Sequence, residues 1–442
     1  MMSFSRRCLC PPGNASRRGV AVALISALLA APACSGPGTK GSSATDGPSS
    51  DSEVHTATTE APGSSTSSAS TTMSETSGEE IDCNIPCDSP WIYEGDLVLS
   101  WPDVQAGDLE CLKEVTGGLQ IFNFPGDLPQ ELLSVERVGF LQMGDFGGES
   151  LSGLNCLKEA GGLNLNGGAN LTDVSAIENT TFYGDVTLRD CPKLVDASAV
   201  KLSPSDKDTS YRIFRNASLV KVPQIQPETN IRYLWIEDNP KLLNIDPIAG
   251  GRALPGASIE VRSNDSLAQV GGLTDVLGTM AIASIRIEEL PSLQSLGGLQ
   301  GVSEVVYIRL HDLPLVDDLS PLGGLTKGYS TYLSALPSVV SLSGFGKNLK
   351  IESLSIGDCG EGDGLAISDL SDLDIVSLVE LQLANNPSLT QIGDIHPDGL
   401  VILRSIANPD LPASEVLSYA AENGVAYACS APPDDCECIP WI

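Results

Sequence analysis

Arginine and aromatic residues recur through the middle of the chain at intervals of about 23 to 26 residues, as in Arg286, Arg309 and Tyr332. A guanidinium can hold a carboxylate or phosphate with two hydrogen bonds, and aromatic rings supply flat apolar area; both are frequent where a few residues dominate binding. If the interval places them on one surface, that surface is suited to recognition. The predicted ligand-binding residues are Arg212, Phe214, Tyr233, Trp235, Arg262, Arg286, Tyr307, Arg309 and Tyr332.

The same positions have a structural alternative. Glu237, Glu260 and Glu288 occur at the matching interval and could pair with Arg262 and Arg286 as a ladder across neighbouring strands. Each such pair would contribute a few tenths of a kcal/mol, and exposed ion pairs arise readily without function. The ladder explains the glutamates but not the aromatic residues, so binding is the preferred interpretation.

Motifs for catalysis are absent from the sequence. The three histidines, His55, His311 and His396, stand alone, and neither a phosphate-binding glycine loop nor a zinc-protease motif is present. The 57 acidic residues guarantee many accidental carboxylate pairs, so an enzyme acting on polysaccharide from the face of a parallel β-helix stays an alternative. We predict no catalytic residue, no metal and no cofactor.

Charge excludes one class of partner. The 57 acidic residues against 25 basic ones give a formal net charge of −32. A surface of that sign repels the phosphate backbone, so nucleic acid is not expected to bind. Aromatic residues are only 5% of the chain, and any core must therefore be built from Leu, Ile and Val.

A repeat of about 23 to 24 residues explains the interval. Residues Leu378 to Leu389 read L-x-x-L-x-L-x-x-N-x-x-L, and the same frame recurs around Asn239, Asn264 and Leu290. Using the Asn-equivalent residue as the turn position, we place rungs at 102, 124, 144, 168, 191, 216, 239, 264, 290, 313, 336, 359, 386 and 408.

Each rung can be explained physically. Alternation in Ile285-Arg286-Ile287 buries both aliphatic side chains on one face of a strand, and by the same phase Leu383 points inward and Gln382 outward. Aliphatic residues at every third position then return the chain through the core. One coil cannot bury its own apolar face, so the coils must stack.

The repeat resembles the leucine-rich-repeat superfamily, and its Asn-Pro turns are similar to the receptor L-domain type found in receptor ectodomains and bacterial surface lipoproteins. The resemblance covers about residues 95 to 425. It implies an α/β or mostly β solenoid, a right-handed coil of about 14 rungs with one parallel sheet. It implies a scaffold for recognition rather than a reaction.

The N-terminus has the features of an export signal. Arginines flank an uncharged apolar run from Gly19 to Ala33, too short to span a bilayer. The segment Ala31-Pro32-Ala33-Cys34 resembles the lipobox of bacterial lipoproteins, which implies lipidation at Cys34; an ordinary secretory cleavage site is the alternative. Residues 35–82 are rich in Ser, Thr, Gly and Pro, which predicts a disordered tether.

Cysteine positions suit an exported protein. Cys191 and Cys359 fall on the turn register and are predicted to be buried thiols, whereas Cys111 and Cys156 lie two rungs apart, beyond disulfide reach of each other. The remaining cysteines cluster at the two ends, where disulfides would staple the caps of the solenoid. A zinc site at the C-terminal end is an alternative that lacks a fourth ligand. The cysteines at the two ends are Cys83, Cys87, Cys429, Cys436 and Cys438.

The sequence therefore predicts an exported, non-enzymatic surface lipoprotein, anchored by lipid to the cell envelope at the outer membrane or cell surface. Its strand face would bind a protein, peptide or acidic glycan, and its contact with membrane would be through the anchor alone. The alternatives are the polysaccharide enzyme and a purely structural envelope protein. The predicted segments are a signal peptide (1–34), a linker (35–82), an N-terminal Cys cap (83–94), the solenoid (95–412), and a C-terminal helix with a Cys-rich cap (413–442).

Overall fold

The computed structural model describes residues 83–100, 109–278, 281–358 and 364–431. The signal peptide, Cys34, the tether, Cys359, Cys436 and Cys438 lie outside these residues. Twenty strands form one sheet in which every pairing among the described residues is parallel. The strands are β1 Trp91–Tyr93, β2 Leu97–Ser100, β3 Leu112–Phe122, β4 Arg137–Gly144, β5 Glu159–Ala160, β6 Leu163–Asn166, β7 Thr181–Phe182, β8 Val186–Arg189, β9 Lys201–Leu202, β10 Thr209–Phe214, β11 Gln224–Ile225, β12 Thr229–Glu237, β13 Gly251–Arg262, β14 Ala281–Glu288, β15 Glu304–His311, β16 Lys327–Ser334, β17 Leu349–Ile356, β18 Ile375–Ala384, β19 Ile402–Ile406 and β20 Tyr427–Ala431.

Helical structure is sparse in the described residues. Helix α1 spans Leu273–Leu277 and helix α2 spans Ala413–Glu422, which buries Val416 and Tyr419. Several rungs return through a single 3-10 turn, for example Ser175–Ile177 and Ser320–Leu322. Within the described residues, no helix is long and apolar enough to cross a membrane.

The architecture is the predicted mostly β parallel solenoid. Each strand of the main ladder pairs with the equivalent strand of the next rung, from β2 at one end to β20, one strand beyond the last predicted turn position. Inward residues such as Ile285, Ile287 and Leu383 are fully buried, so the predicted strand phase is confirmed. They form one continuous Leu/Ile/Val core along the stack.

Two kinds of feature fix the turn at the end of each strand. The residue before the turn position adopts a positive φ, as in Asp238 (55°) and Ser263 (52°). The turn residue is buried, and where it is Asn its side chain bonds the backbone of the adjoining rung: Oδ1 of Asn216 accepts the N–H of Cys191 at 3.0 Å. Asn at the turn position thus joins neighbouring rungs.

The predicted turn at position 144 is wrong. Gly144 pairs with Phe122 and Asn166 inside the strand ladder, and the positive φ falls on Asp145. The turn residue is therefore Phe146, which is buried and fills the corner as Phe124 does one rung earlier. Near the predicted turn at Cys359, the backbone N–H of Leu365 donates a hydrogen bond to Oδ1 of Asn386.

Disulfides staple the N-terminal end. Cys83 bonds Cys156 and Cys87 bonds Cys111, so the chain before the first strand is tied to two different rungs. Cys429 on β20 is also disulfide-bonded. Cys191 is a buried free thiol as predicted, and loss of solvation raises its pKa to about 11.

Candidate functional site

The side of the main ladder that faces away from the core is called here the strand face. Its side chains stand in three columns, at positions six, four and two residues before each turn residue. Strand pairing places the predicted residues in these columns. In the column four residues before the turn, Arg212 pairs with Trp235, Trp235 pairs with Glu260, and Arg286 pairs with Arg309. Neighbouring strands lie about 4.8 Å apart. The nine predicted residues, called the arginine–aromatic cluster, thus occupy six neighbouring strands of the main ladder: β10, β12, β13, β14, β15 and β16.

One half of the cluster is built around Trp235. The ring of Phe214 meets it edge to face, with centroids 5.1 Å apart, and the guanidinium of Arg262 lies 5.7 Å from its centroid. Tyr233 stands beside it with 49% of its surface exposed. Because aromatic and cation–π contacts hold these side chains before any ligand arrives, the surface is partly preorganised.

The other half is built around Tyr307. The guanidinium of Arg286 lies 5.1 Å from the Tyr307 ring centroid, and the ring of Tyr332 packs against Tyr307 at 5.3 Å. Tyr332 itself is buried, and burial raises the pKa of its hydroxyl well above the ordinary range. Tyr332 therefore supports Tyr307 and offers little surface of its own.

Glutamates link the two halves. Arg262 bonds Glu237 at 2.7 Å, Arg286 lies 4.0 Å from Glu260, and Arg309 lies 3.5 Å from Glu288. The ladder considered from the sequence is therefore present, with Arg309 as the partner of Glu288. In each pair the arginine is the more exposed member, most clearly for Arg309 at 25% against Glu288 at 7%. The outermost charge of the ladder is consequently positive.

Hydrogen-bonding capacity in the cluster is not fully used. Arg212 makes no hydrogen bond or ion pair with the described residues. Buried polar atoms of four cluster and ladder residues also lack a hydrogen-bond partner there, and an unmatched buried polar group is uncommon in a folded protein. These atoms are Trp235 Nε1, Arg262 Nε, Arg286 Nε and Glu288 Oε1.

A third arginine–aromatic contact lies outside the set of residues predicted from the sequence. Arg404 on β19 bonds Glu380 on β18, and its guanidinium lies 5.8 Å from the ring centroid of Tyr427 on β20. Strand β20 follows the last predicted turn, at Asn408, so Tyr427 was not assigned to a column. The interval of 23 residues between Arg404 and Tyr427, which matches the repeat, was the signal available in the sequence.

Catalysis would depend on carboxyl groups with shifted pKa values or on clustered metal ligands. The carboxyl groups whose pKa departs from the ordinary range are all lowered, as for Asp190, where hydrogen bonding to Arg215 is the largest cause. A general acid needs the opposite shift. No group of three or more potential metal ligands occurs in the described parts of the chain.

The pairing, the buried Asn turns and the Leu-rich core define a solenoid of leucine-rich-repeat-like rungs. No protein-family model matches the chain. No curated protein matches its sequence. A crystal structure of an internalin from Listeria monocytogenes is similar at 15% identity over 74% of this chain and 89% of that chain, with a TM-score of 0.31.

Proposed function

We propose that this protein is a non-enzymatic surface recognition or adhesion protein whose strand face binds a protein or peptide bearing carboxylate groups beside apolar side chains. The observation that carries the proposal is the arginine–aromatic cluster, which is ordered by its own contacts and spans six strands. Arg, Trp and Tyr are the residues that most often dominate the energy of protein interfaces.

Electrostatics supports a partner with acid groups. The chain as a whole carries a net charge of −32, which repels anions at long range. On the strand face the arginines stand outside their glutamate partners, and Arg212 is unpaired within the described residues. An acidic side chain docking here would meet guanidinium groups with free donors.

The glutamates favour a protein or peptide over an acidic glycan. A polysaccharide with a carboxylate on every sugar would bring negative charge to Glu237 and Glu260 as well as to the arginines between them. A protein or peptide can place its acid groups only where an arginine stands and its apolar side chains against Trp235 or Tyr233. Discrimination of this kind depends on unfavourable contacts as much as on favourable ones.

The proposed address is the cell envelope. The lipobox-like sequence before Cys34 supports export and lipid anchoring there, and the Ser/Thr-rich residues 35–82 would separate the solenoid from the membrane. In this arrangement the membrane contacts the lipid anchor, and the strand face is left for the partner.

The experiment compares the parent with a variant in which Arg286, Arg309 and Trp235 are all replaced by Ala. Immobilised protein is exposed to secreted-protein, peptidoglycan and acidic exopolysaccharide fractions at low and high salt. We expect one protein or peptide component to be retained by the parent, less so at high salt, and lost from the variant.

The matched control replaces Arg137, Arg252 and Tyr183 by Ala, which removes the same number of arginines and an aromatic ring away from the strand face. Circular dichroism and urea melts establish that both variants fold. Equal retention by the parent and the Arg286/Arg309/Trp235 variant would make the cluster a structural ladder. Retention of acidic polysaccharide alone would assign the site to a glycan.

A further inference from the structure

A row of amide side chains occupies the strand face at the N-terminal end, away from the arginine–aromatic cluster. Gln120 on β3 pairs with Gln142 on β4, which pairs with Asn164 on β6. The strand residues on either side of each amide are buried in the core, such as Leu141 and Met143, so the amides point outward. These three residues, the amide row, stand in the same column as Trp235 and Arg286 farther along.

The amide row has unused hydrogen-bonding groups. None of its three amides makes a hydrogen bond with the described residues, and each is half-buried, so its polar atoms stay accessible. A primary amide carries two N–H donors and one carbonyl acceptor. Side by side at about 4.8 Å per rung, the row offers donors and acceptors in mixture. Hydroxyl groups, which both donate and accept, match such a mixture better than an ion of either sign does.

Two phenylalanine rings lie beside the row on opposite sides. Phe122 lies against Gly144 of the next rung, where an added Cβ would stand 2.7 Å from its ring. Phe140 lies against Gly162 in the same way, at 2.6 Å. Because glycine leaves space at both places, each ring can lie along the sheet over the neighbouring backbone. The rings provide flat apolar surface next to the amides, and both are half-buried.

Charge distinguishes this area from the rest of the molecule. The three outward columns from Gly118 to Asn166 contain no ionisable side chain, although the whole chain has a net charge of −32. The first arginine of the columns is Arg189, which bonds Asn166 and Asp190. The carboxylates of Asp96 and Asp185, in the rungs on either side, already accept the backbone N–H groups of Gly118 and Ser210. Within the three rungs of the amide row a charged ligand would find no counter-charge, whereas a neutral polar ligand would meet amides and rings.

We propose that the amide row, with Phe122 and Phe140, binds a neutral extended glycan whose successive sugars run across the rungs. Sugar hydroxyls would bond the amides, and the apolar faces of the rings of the sugars would pack on the two phenylalanines. The site is separate from the arginine–aromatic cluster, so it does not depend on the function proposed for that cluster.

The test uses isothermal titration calorimetry with cellohexaose, chitohexaose and mannohexaose, and with hexagalacturonate as a charged comparison. We expect the parent to bind at least one neutral hexaose more tightly than hexagalacturonate. The variant Gln120→Ala/Gln142→Ala/Asn164→Ala is expected to bind that hexaose about tenfold more weakly or worse, since three hydrogen-bonding side chains are lost. The Arg286/Arg309/Trp235 variant should bind it as the parent does.

A control variant replaces three exposed glutamines elsewhere, Gln130, Gln294 and Gln300, by Ala and should bind like the parent. If the triple amide variant folds poorly in urea melts, Gln142→Leu tests the site in a folded background, because a side chain of similar size without donor or acceptor should weaken binding of the neutral glycan about threefold or more. The proposal is overturned if no neutral hexaose binds the parent, if hexagalacturonate binds more tightly, or if folded amide-row variants bind unchanged.

Discussion

The side-chain amide of Asn239 donates to Oδ1 of Asn264 at 3.2 Å, and its own Oδ1 accepts from the backbone N–H of Asn216 at 3.2 Å. The three asparagines thus form a chain of hydrogen bonds that runs from rung to rung inside the stack, fully buried. Nδ2 of Asn239 also donates to the carbonyl of Ile213. It donates to the carbonyl of Glu237 in its own rung as well. One side chain therefore satisfies backbone groups of two rungs, which aliphatic packing cannot do.

Replacing Asn239 by Ala should destabilise the fold by about 2 to 4 kcal/mol, since several buried backbone and side-chain groups lose their hydrogen bonds at once. The measurement is the free energy of unfolding from urea melts. Asn230→Ala is the control, because the Asn230 side chain makes no hydrogen bond with the described residues, and its cost should stay near 0.5 kcal/mol. Similar losses for the two variants would contradict the role given to the Asn chain.

The core phase gives a second prediction. Ile287→Ala should cost about 2 to 5 kcal/mol, as deletions from a packed core do, while Ser284→Ala on the strand face should be nearly silent. Gln382 has the outward phase, for which an exposed side chain is expected, but its side chain is buried. It is only 2% exposed, and its Nε2 donates to Ser355 Oγ at 3.4 Å, so Gln382→Ala should cost about 1 kcal/mol. Equal losses in the free energy of unfolding for Ile287→Ala and Ser284→Ala would contradict the assignment of inward and outward residues on the strand.

The sequence predicted rungs best where the turn residue is Asn, because an amide there serves a need that few other side chains meet. Phe146 fills its corner by bulk alone, and a buried phenylalanine can occupy many positions, so the turn was placed at Gly144. That two-residue error also concealed the amide row, because it moved Gln142 out of the column of Gln120 and Asn164. A register predicted from spacing is therefore least accurate where the turn residue is not a distinctive type.

Contacts within the candidate site depend on more than spacing. Periodicity predicted that Arg309 and Glu288 would both lie on the strand face, but their pairing depends on the torsions of two long side chains. The burial of Tyr332 likewise depends on its surroundings in the folded chain rather than on its place in the repeat. The disulfide partners also depend on the folded chain, because Cys83 and Cys156 are 73 residues apart and come together only when the first segment packs on the solenoid.

The two N-terminal disulfides should differ in their contribution to stability. Cys83–Cys156 joins residues 73 apart and Cys87–Cys111 joins residues 24 apart. In the chain-entropy model a longer loop loses more freedom on cross-linking, so removing the first bond should cost about 1 kcal/mol more than removing the second. Urea melts of Cys83→Ser/Cys156→Ser and Cys87→Ser/Cys111→Ser compare them. The opposite order would mean that lost packing, rather than loop closure, dominates.

Anchoring through Cys34 is expected from the sequence before it. Intact-mass analysis of the membrane-extracted protein should find a chain that begins at Cys34 and carries diacylglyceryl. Cys34→Ala should leave the protein without lipid while its solenoid still folds. Release of an unmodified chain beginning at Cys34, or retention of residues 1–33, would contradict lipid anchoring and favour ordinary secretion or an uncleaved leader.

Cys191 should be unreactive while the protein is folded. Its thiol is fully buried, and desolvation is the largest cause that raises its pKa to about 11 from an ordinary value of 9.0. The thiolate is the nucleophile, so iodoacetamide at pH 8 should leave the peptide containing Cys191 unlabelled in native protein and label it in urea. Labelling at equal rates in both states, detected by peptide mass spectrometry, would mean that the rung around Cys191 opens readily.

The same shift makes stability depend on alkaline pH. Folding keeps the proton on Cys191 above pH 9, where the unfolded chain begins to lose it, so the contribution is complete below pH 9 and is lost as pH rises through 11. Between pH 8 and 10.5 the parent should lose about 2 kcal/mol more stability than Cys191→Ala, which has no thiol to titrate. Urea melts at the two pH values provide the comparison, and the tyrosines and lysines common to both proteins cancel in the difference. Parallel losses in the two proteins would show that the thiol ionises as easily in the fold as in the unfolded chain, contrary to its burial.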